Sequence, residues 1–308
     1  MGLRNLFRCF VSTSDQVADC DENNKYSWEQ IKKWSRNFST VIGSGGVSTV
    51  YLARIPGSGL TAVKIQLACT ERLARIHDEE HQILVQVQQH PNIVKFVGHC
   101  DEREEERALL FEYASNGTLH DKLCTLTWKT RKMIALQLAS ALQYLHGIQI
   151  IHGDIKSSNI LLDQHLNCKL CDFGSAKIGF TPMVLPPSSP KAIIGSQGYV
   201  DPDYMKTGLV SKKNDIYSFG VVLFELVTGR EAFSVEKGEL LTEIIGGPVV
   251  GVEELVDPRL RNGEGLDLDL EEVKAMVSMA RMCIGCSMIR PSAKEIVASM
   301  KHKFHIIS

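Results

Sequence analysis

The hydrophobic and polar positions of the chain divide it into two regions with different periods. From Ser39 onward, short apolar runs of strand character alternate with breaks that contain Gly or Pro. The predicted strands are Thr49–Arg54, Thr61–Gln66, Ile93–Gly98 and Ala108–Glu112. One long predicted helix, Glu71 to Gln88, lies among them. This region therefore predicts a small, mainly β lobe.

Beyond Asn116 and Gly117 the pattern becomes helical. The clearest stripe repeats at i, i+4, i+7, i+8 and i+11, which predicts a helix with one buried face. Its members are Ile134, Leu138, Ala141, Leu142 and Leu145. A larger helical lobe therefore follows, and the fold class is α+β with two lobes joined by a hinge near Glu112 to Gly117. Ligands commonly bind in the cleft between two such lobes.

The folded domain is expected over residues 38–303, with a small lobe at about 38–113, a large lobe at about 117–303 and a tail at 304–308. Residues 1–37 are expected to be an extension, with a small helical pattern around Trp28 to Trp34. The acidic run Asp101 to Glu106 predicts a solvated loop rather than a binding site. Thr181 to Pro190 contains four prolines, which predicts an extended, mobile segment.

The composition limits which partners and which compartment the sequence predicts. The 308 residues carry a net charge of −2, which gives no reason to expect nucleic acid as a partner. The nine cysteines are scattered, so we interpret them as thiols in a reducing compartment, including the pairs Cys168/Cys171 and Cys283/Cys286. No apolar run is long enough to span a bilayer and no signal peptide is evident, so the sequence predicts neither export nor a membrane span.

The small lobe contains two features that suit phosphate binding. Gly43–Val50 (GSGGVSTV) is a Gly-rich turn between strand runs, where glycines let backbone N–H groups approach phosphates. Lys64 lies inside an apolar strand, with Ala62 on the same face, and a lysine there needs a paired charge or a phosphate. Glu80 on the following helix is the preferred carboxylate partner, with Glu79 as the alternative.

The strongest motif lies in the large lobe. Residues 151–159 read IHGDIKSSN, in which Asp154 and Asn159 have the D-x4-N spacing of a catalytic loop. Residues 171–174 read CDFG, in which Asp172 is a candidate magnesium ligand. These motifs follow the lysine strand in the order that phosphoryl transfer chemistry needs.

In these motifs the chain resembles the protein kinases over residues of about 38 to 303. Within that superfamily it is similar to plant receptor-like kinases related to the Pelle and interleukin-receptor-associated kinases. Further similar phrases are GYVDPDY at 198–204, DIYSFGVVL at 215–223 and RPS at 290–292. It resembles most the receptor-like cytoplasmic subgroup.

The resemblance implies ATP and Mg²⁺, with Mn²⁺ as an alternative, and a role for each matching residue. Asp154 would orient and deprotonate a substrate hydroxyl, with Lys156 near the γ-phosphate. Lys64 would contact phosphates and pair with Glu80, and Asn159 and Asp172 would hold the metal. The expected nucleotide-binding positions are Ile42, Gly43, Ser44, Gly45, Gly46, Val50, Ala62, Lys64, Phe111, Glu112, Ala114, Asn159 and Asp172.

Three positions depart from the family pattern. Ser48 replaces the third glycine of the phosphate loop, and Gly153 replaces the arginine that precedes the catalytic aspartate in most kinases. The resemblance is then to the non-RD class, for which we expect no need of activation-loop phosphorylation. Asp203 replaces the glutamate of Ala-Pro-Glu, and we expect it to pair with Arg290 across a shorter reach.

The implied function is a serine/threonine protein kinase in cytoplasmic, receptor-linked signalling. Protein substrates and a membrane receptor kinase or receptor complex are the expected partners, and Ser196 with Lys156 resembles serine/threonine specificity. The alternative is a pseudokinase adaptor that binds receptors without phosphoryl transfer, whereas a small-molecule kinase is disfavoured.

The amino-terminal residues 2–11 form a separate pattern. Apolar residues at 3, 6, 7, 10 and 11 lie opposite Arg4 and Arg8, as in a short basic amphipathic helix. With palmitoylation at Cys9, this segment would attach the protein peripherally to the plasma membrane; Gly2 lacks the rest of a myristoylation signal. A helix docked on the small lobe or a disordered segment is an equally weighted alternative.

Overall fold

The computed structural model describes residues 25–87, 90–179, 183–184, 195–246, 251–261 and 268–304. The predictions for residues 2–11 and for most of the Pro-rich segment at 181–190 lie outside these ranges. The chain divides into two compact units. The first contains residues up to 70 and residues 97–111, and the second contains residues 71–96 and residues from 112 onward.

A five-stranded sheet is the centre of the first unit, in the order β1-β2-β3-β5-β4. Its strands are β1 (Val41–Ser44), β2 (Ser48–Ile55), β3 (Gly59–Leu67), β4 (Phe96–Cys100) and β5 (Glu106–Glu112). The predicted strands are confirmed in type, but β4 begins three residues later than expected. The reason lies in the second unit, where Ile93 forms an isolated bridge with Leu170 and the Asn92 side chain donates to the Cys168 carbonyl.

One face of this sheet is covered by helix α1 (Trp28–Trp34), as the local helical pattern predicted. Ser27 begins the helix with a capping box, in which its hydroxyl and the side chain of Gln30 satisfy each other's backbone N–H groups. Trp28 and Ile31 are buried, and they belong to one cluster with Ala53, Ile55, Val63, Cys100, Ala108 and Leu110. The folded core of this unit therefore begins well before residue 38.

The acidic run Asp101 to Glu106 connects β4 to β5, and its last residue is the first residue of β5. Side chains of this run also bind α1 and the residue Lys25 that precedes it. Asp101 pairs with Lys25 over 2.6 Å, and the Glu102 carboxylate accepts the Trp28 N–H over 2.7 Å. The Arg103 guanidinium lies 4.5 Å from the centre of the Trp28 ring. The prediction of a loop is confirmed. The loop also binds α1, which the charge pattern alone did not indicate.

The second unit is mainly helical, which together with the sheet of the first unit confirms the predicted α+β fold class. Its helices are α2 (Glu71–Gln86), α3 (Leu119–Lys122), α4 (Trp128–Gly147), α5 (Pro202–Thr207), α6 (Lys212–Thr228), α7 (Leu241–Gly246), α8 (Val252–Leu255), α9 (Pro258–Arg261), α10 (Leu270–Ile284) and α11 (Ala293–Lys303). Two short 3₁₀ turns lie at Leu123–Thr125 and Ser157–Asn159. The predicted apolar stripe of α4 is buried along its whole length.

Short strand pairs supplement these helices. They are β6 (Ile150–Ile151) with β9 (Lys177–Ile178), β7 (Ile160–Leu162) with β8 (Cys168–Leu170), β10 (Met183–Val184) with β11 (Leu209–Val210), and β12 (Phe233–Ser234) with β13 (Glu239–Leu240). Within the described ranges, no helix is both long and apolar enough to cross a membrane.

One cysteine of each pair occupies a core position, whereas Cys171 is half-buried and Cys286 is exposed. Cys168 and Cys283 are fully buried, and burial raises the pKa of each thiol to about 12. Cys171 donates its S–H to the Asn159 carbonyl over 3.3 Å. These surroundings favour protonated packing thiols at Cys168 and Cys283.

Candidate active site

The loop between β6 and β7 contains the predicted catalytic residues. A side chain of α6 binds the backbone of this loop. Asp215, near the start of α6, accepts the N–H groups of His152 and Gly153 over 2.9 and 2.8 Å. Its carboxylate also binds His146 over 2.9 Å. Burial would raise the pKa of Asp215, but the hydrogen bonds from His146 and the loop keep that pKa below its ordinary value. A buried carboxylate therefore fixes the loop backbone.

Asp154 lies at the centre of a compact polar group in this loop. Lys156 pairs with its Oδ2 over 2.7 Å, and Asn159 donates its amide N–H to the same oxygen over 3.0 Å. The hydroxyl of Ser196 donates to the other oxygen, Oδ1, over 2.9 Å. Lys156 also donates to Ser196 over 2.7 Å, which closes a ring of three contacts. The structure thus brings together Asp154, Lys156 and Asn159 as the sequence predicted, with Ser196 beside them.

The Asp172 segment is joined to the catalytic loop through His152. Its Nδ1 accepts the Asp154 N–H over 3.3 Å, which makes Nε2 the donor to the Cys171 carbonyl over 3.1 Å. The Phe173 ring packs edge-on against the His152 ring, with 4.8 Å between centroids. Asp172 itself has a φ of 65°, which is uncommon for a residue with a side chain. The Cys171 N–H donates to the Asn159 carbonyl, so the two predicted metal ligands belong to neighbouring, hydrogen-bonded backbone segments.

Helix α2 presents two adjacent glutamates that differ in their surroundings. Glu80 is almost completely buried, and a Cβ added at Gly174 would lie 3.4 Å from its Oε2 and 3.5 Å from Asp172 Oδ1. Two carboxylates thus converge on the same glycine. Glu79, the alternative candidate, is half exposed and pairs with Lys177 of β9 over 2.7 Å. Within this unit, Glu80 is the glutamate that points towards the Asp172 segment.

The first unit contains the glycine-rich turn and the strand lysine. In β1 and β2, Gly43 pairs with Val50, and Val50 pairs in turn with Lys64 of β3. Val63 is fully buried on the α1 side, as strand alternation predicted for the face opposite Ala62 and Lys64. A Cβ added at Gly46 would meet no atom within 4 Å, so the turn is open on that side. Ile42, Ser44 and Gly45 lie in or beside the same hairpin.

The predicted hinge residues lie where the chain passes from one unit to the other, between Phe111 and Glu112. Phe111 and Ala114 are buried. The Glu112 carboxylate accepts the Lys95 N–H over 2.9 Å and pairs with Lys169 over 2.8 Å. This side chain therefore has structural contacts of its own, while the expected contact with a nucleotide base concerns the backbone.

Gly153 has a conformational reason to be glycine in this chain. Its φ is +80°, and an added Cβ would lie 2.8 Å from the carbonyl oxygen of Ser175. A side chain at this position would be strained in both respects.

The expected pairing of Asp203 with Arg290 is present, but it is not the main ion pair of Arg290. Arg290 donates to both carboxylate oxygens of Asp201, over 2.5 and 3.0 Å, whereas Asp203 approaches it only to 3.7 Å. Asp201 is 1% exposed and Asp203 is 46% exposed, so the buried partner is Asp201. The shorter side chain of Asp203, compared with glutamate, agrees with this outcome. Asp201 also begins α5 by accepting the Asp203 N–H.

A further buried carboxylate, Glu225 of α6, was not predicted as part of the site. Its Oε1 accepts hydrogen bonds from the Tyr199 hydroxyl over 2.8 Å and from the Ser157 hydroxyl over 3.0 Å. Ser157 follows Asp154 by three positions and Tyr199 follows Ser196 by three, so Glu225 joins the two segments that meet at Asp154. Burial raises the pKa of Glu225 to about 7. Its interruption of the apolar stretch 219–227 was the one available sequence signal.

Comparison with known proteins identifies the family of the chain. Residues 36–303 match the protein kinase domain. A probable receptor-like protein kinase of Arabidopsis thaliana is 45% identical over 301 residues, which cover 89% of this chain and 86% of that protein. Salt tolerance receptor-like cytoplasmic kinase 1 of Oryza sativa subsp. japonica is 44% identical over 90% of this chain and 80% of its own length. Wall-associated receptor kinase 3 of Arabidopsis thaliana is 36% identical over 85% of this chain, but over only 36% of its own length. The chain therefore belongs to the protein kinase family and, within it, to the plant receptor-like kinases.

Proposed function

We propose that this chain is an active serine/threonine protein kinase that transfers the γ-phosphate of ATP to protein hydroxyl groups. The observation that carries the proposal is the ring of contacts among Asp154, Lys156 and Ser196. The Ser196 hydroxyl already donates a hydrogen bond to Asp154 Oδ1, so this carboxylate binds an aliphatic alcohol at the distance that general base catalysis requires. Lys156 places a positive charge beside the same carboxylate, where charge on a transferring phosphoryl group would be stabilised.

The residues present fit a divalent metal ion. Asn159 donates both of its hydrogen bonds to Asp154 through the amide nitrogen, which leaves the amide oxygen as the metal-binding atom. Asp172 provides a carboxylate on the adjoining segment, and oxygen ligands of this kind suit Mg²⁺ and Mn²⁺. We therefore assign Asn159 and Asp172 as the metal ligands. When bound, the ion neutralises charge on the β- and γ-phosphates.

We infer the nucleotide contacts from the family membership. Lys64 would contact the α- and β-phosphates and pair with Glu80, whose burial and direction support this choice over Glu79. The glycine-rich turn from Gly43 to Gly46 would offer backbone N–H groups to the phosphates. The adenine would lie against Ile42, Val50 and Ala62, with Phe111 as the gatekeeper and the backbone of Glu112 to Ala114 as its hydrogen-bonding partner.

The competing function is a pseudokinase adaptor, which Ser48, Gly153 and Asp203 suggested from sequence. The polar contacts of Asp154 support the enzyme, because an adaptor has no chemical need for them. Purified protein should be incubated with Mg²⁺-ATP and matched peptides that differ only in Ser, Thr or Tyr at the acceptor position. We expect transfer to Ser and Thr peptides and none with Asp154→Asn. Transfer to the Tyr peptide alone would overturn the specificity, and a folded wild type without transfer would favour the adaptor.

We further propose that activity does not depend on phosphorylation of the activation loop, as in the non-RD class. Gly153 lacks the cation that would pair with a phosphorylated residue. The Lys177–Glu79 ion pair already ties β9 to α2 without a phosphate, which supports the proposal. Ala variants of Thr181, Ser188 and Ser189 should retain peptide phosphorylation. One folded variant that loses activity and regains it with a phosphomimetic residue would contradict this.

The partners would be protein substrates and a membrane receptor kinase or receptor complex, and the setting would be the cytoplasmic face of the plasma membrane. The two relatives named as receptor-like kinases support the receptor link. Attachment through residues 2–11 can be tested by fractionation of a variant that combines Cys9→Ser, Arg4→Glu and Arg8→Glu. A shift from the membrane to the cytosolic fraction is expected, and an unchanged distribution would argue against attachment.

A further inference from the structure

The structure describes a helix that the kinase domain match does not include. The matched region begins at residue 36, whereas α1 spans Trp28–Trp34. Nevertheless α1 buries Trp28 and Ile31 against the sheet and is fastened by the loop that contains Asp101 to Glu106. These contacts attach α1 firmly to the sheet and couple the helix to the strands on which it packs.

The link from α1 to β1 adopts an unusual backbone. Arg36, Asn37 and Phe38 have φ values of 52, 57 and 58°, three successive left-handed residues of which none is glycine. Residues with side chains adopt this conformation rarely and usually singly, so the surrounding contacts must hold it in place. The Phe38 N–H donates to Ser35 Oγ over 3.1 Å, and the Asn37 N–H donates to the Lys32 carbonyl over 2.7 Å. The turn therefore fixes the direction in which Phe38 leaves α1.

Phe38 connects α1 to the strand that follows the glycine-rich turn. Its ring lies 5.5 Å from the Trp28 ring and 5.2 Å from the Tyr51 ring, both in tilted orientations. Tyr51 follows Val50 directly, and Val50 pairs with both Gly43 and Lys64. One aromatic contact thus reaches the strand positions that carry the expected phosphate-binding groups.

A groove of about 440 Å³ lies beside this contact. Lys32, Asn37 and Phe38 line it from α1 and the link, and Gly45 to Thr49 line it from the glycine-rich turn. Because nothing lies within 4 Å of a Cβ built at Gly46, the turn has room to move. The α1 segment is thus one wall of the space that borders the turn.

We propose that α1 and Phe38 form a backing element that fixes the glycine-rich turn and thereby sets the affinity of the kinase for ATP. This inference rests on the proposed function, because it requires that the turn bind phosphates. Phe38 acts as a positioning residue through Tyr51. Without its ring, β2 and the turn sample more conformations, and nucleotide binding must then order them at a cost in affinity. Phosphoryl transfer at saturating ATP depends on the Asp154 group and keeps its rate.

The test compares Phe38→Leu with the matched control Trp34→Leu. Trp34 is the last residue of α1 and, like Phe38, is an aromatic residue that packs on the same core. Its ring partner is Tyr26, at 5.3 Å, rather than Tyr51. Titration calorimetry with Mg²⁺-ADP gives the Kd, and a peptide assay gives KM for ATP and kcat. An aromatic pair of this kind predicts a rise of about threefold to tenfold in Kd and KM for Phe38→Leu, with kcat unchanged. Trp34→Leu should leave all three at wild-type values.

Two further measurements test whether Phe38 acts through Tyr51 and through the glycine-rich turn. Tyr51→Leu and the double variant complete a cycle, in which the effects of Phe38→Leu and Tyr51→Leu on Kd should not add. Amide hydrogen exchange at Gly45 to Ser48 should quicken in Phe38→Leu and not in Trp34→Leu. If the folded wild type binds nucleotide and Phe38→Leu matches Trp34→Leu in Kd, this inference is overturned while the proposed function stands. If the folded wild type binds no nucleotide, both are overturned.

Discussion

The Ser196 hydroxyl donates a hydrogen bond to Oδ1 of Asp154 over 2.9 Å. Lys156 donates to the same hydroxyl, so the segment that contains Ser196 is tied to the Asp154 carboxylate by one small side chain. Ser196→Ala removes the donor and leaves Asp154 and Lys156 without this bridge. Hydrogen bonds to charged groups are worth about 1.5–3 kcal/mol, so kcat/KM for peptide phosphorylation should fall about tenfold or more.

Ser196→Thr is the matched control, because it retains the hydroxyl. It should keep most of the wild-type activity in the same peptide assay. Wild-type activity in Ser196→Ala would show that the bridge has no part in the reaction.

The two carboxylates near Arg290 should differ strongly in their effect on stability. Asp201→Asn leaves a buried guanidinium without its charged partner, which should lower the free energy of unfolding by about 3–5 kcal/mol. Asp203→Asn removes only a longer, half-exposed contact and should cost less than about 1 kcal/mol. Urea unfolding of the two variants measures both values, and a larger loss for Asp203→Asn would contradict the assignment of Asp201 as the main partner.

Glu225 should give the protein a particular dependence of stability on pH. Its pKa is about 7 in the folded state against an ordinary value of 4.5, so the folded chain retains a proton that the unfolded chain has lost. Stability from this group is fully present below pH 4.5 and is lost as pH rises through 7. The loss amounts to about 3 kcal/mol.

Glu225→Gln cannot titrate but keeps an oxygen acceptor for Tyr199 and Ser157. Its free energy of unfolding, measured in urea between pH 5 and pH 8, should rise relative to the wild type as pH increases. Other groups titrate alike in both proteins, so the difference isolates Glu225. Parallel pH curves for the two proteins would count against a raised pKa.

Gly153→Ala should destabilise the protein by about 1–2 kcal/mol, because φ is +80° and the new Cβ would meet the Ser175 carbonyl at 2.8 Å. Gly147→Ala is the control: Gly147 ends helix α4, and its Cβ would meet nothing within 4 Å. Alanine there should be neutral or stabilising by up to about 1 kcal/mol. Thermal unfolding of both variants measures the contrast, and equal effects would show that Gly153 is not under conformational constraint.

The sequence predicted the elements whose side chains alternate or repeat strongly. Val63 is buried on the face of β3 opposite Ala62 and Lys64, and Ile134 to Leu145 form the buried stripe of α4, because period alone decides these faces. The motif spacing also predicted that Asp154 and Asn159 belong to one loop, and the structure shows that their side chains are hydrogen-bonded.

Contacts between distant segments were less accessible from sequence. Asp203 contacts Arg290 as expected, but the turn that begins α5 also directs Asp201 into the buried position beside Arg290, which the sequence did not predict. Glu102 and Arg103 were read as part of a solvated run, and only folding shows that α1 lies beside them. Glu225 escaped prediction because its two partners, Ser157 and Tyr199, come from different segments.

The most direct test of the proposed function is phosphate transfer by the purified full chain with Mg²⁺-ATP or Mn²⁺-ATP, measured as autophosphorylation and as phosphorylation of a generic protein substrate. Lys64→Met and Asp172→Asn are the controls, since one removes the proposed phosphate-binding cation and the other a proposed metal ligand. We predict transfer by the wild type and its loss in both variants. A correctly folded wild type that transfers no phosphate, or transfer that persists in Asp172→Asn, would contradict the assignment of this chain as a metal-dependent kinase.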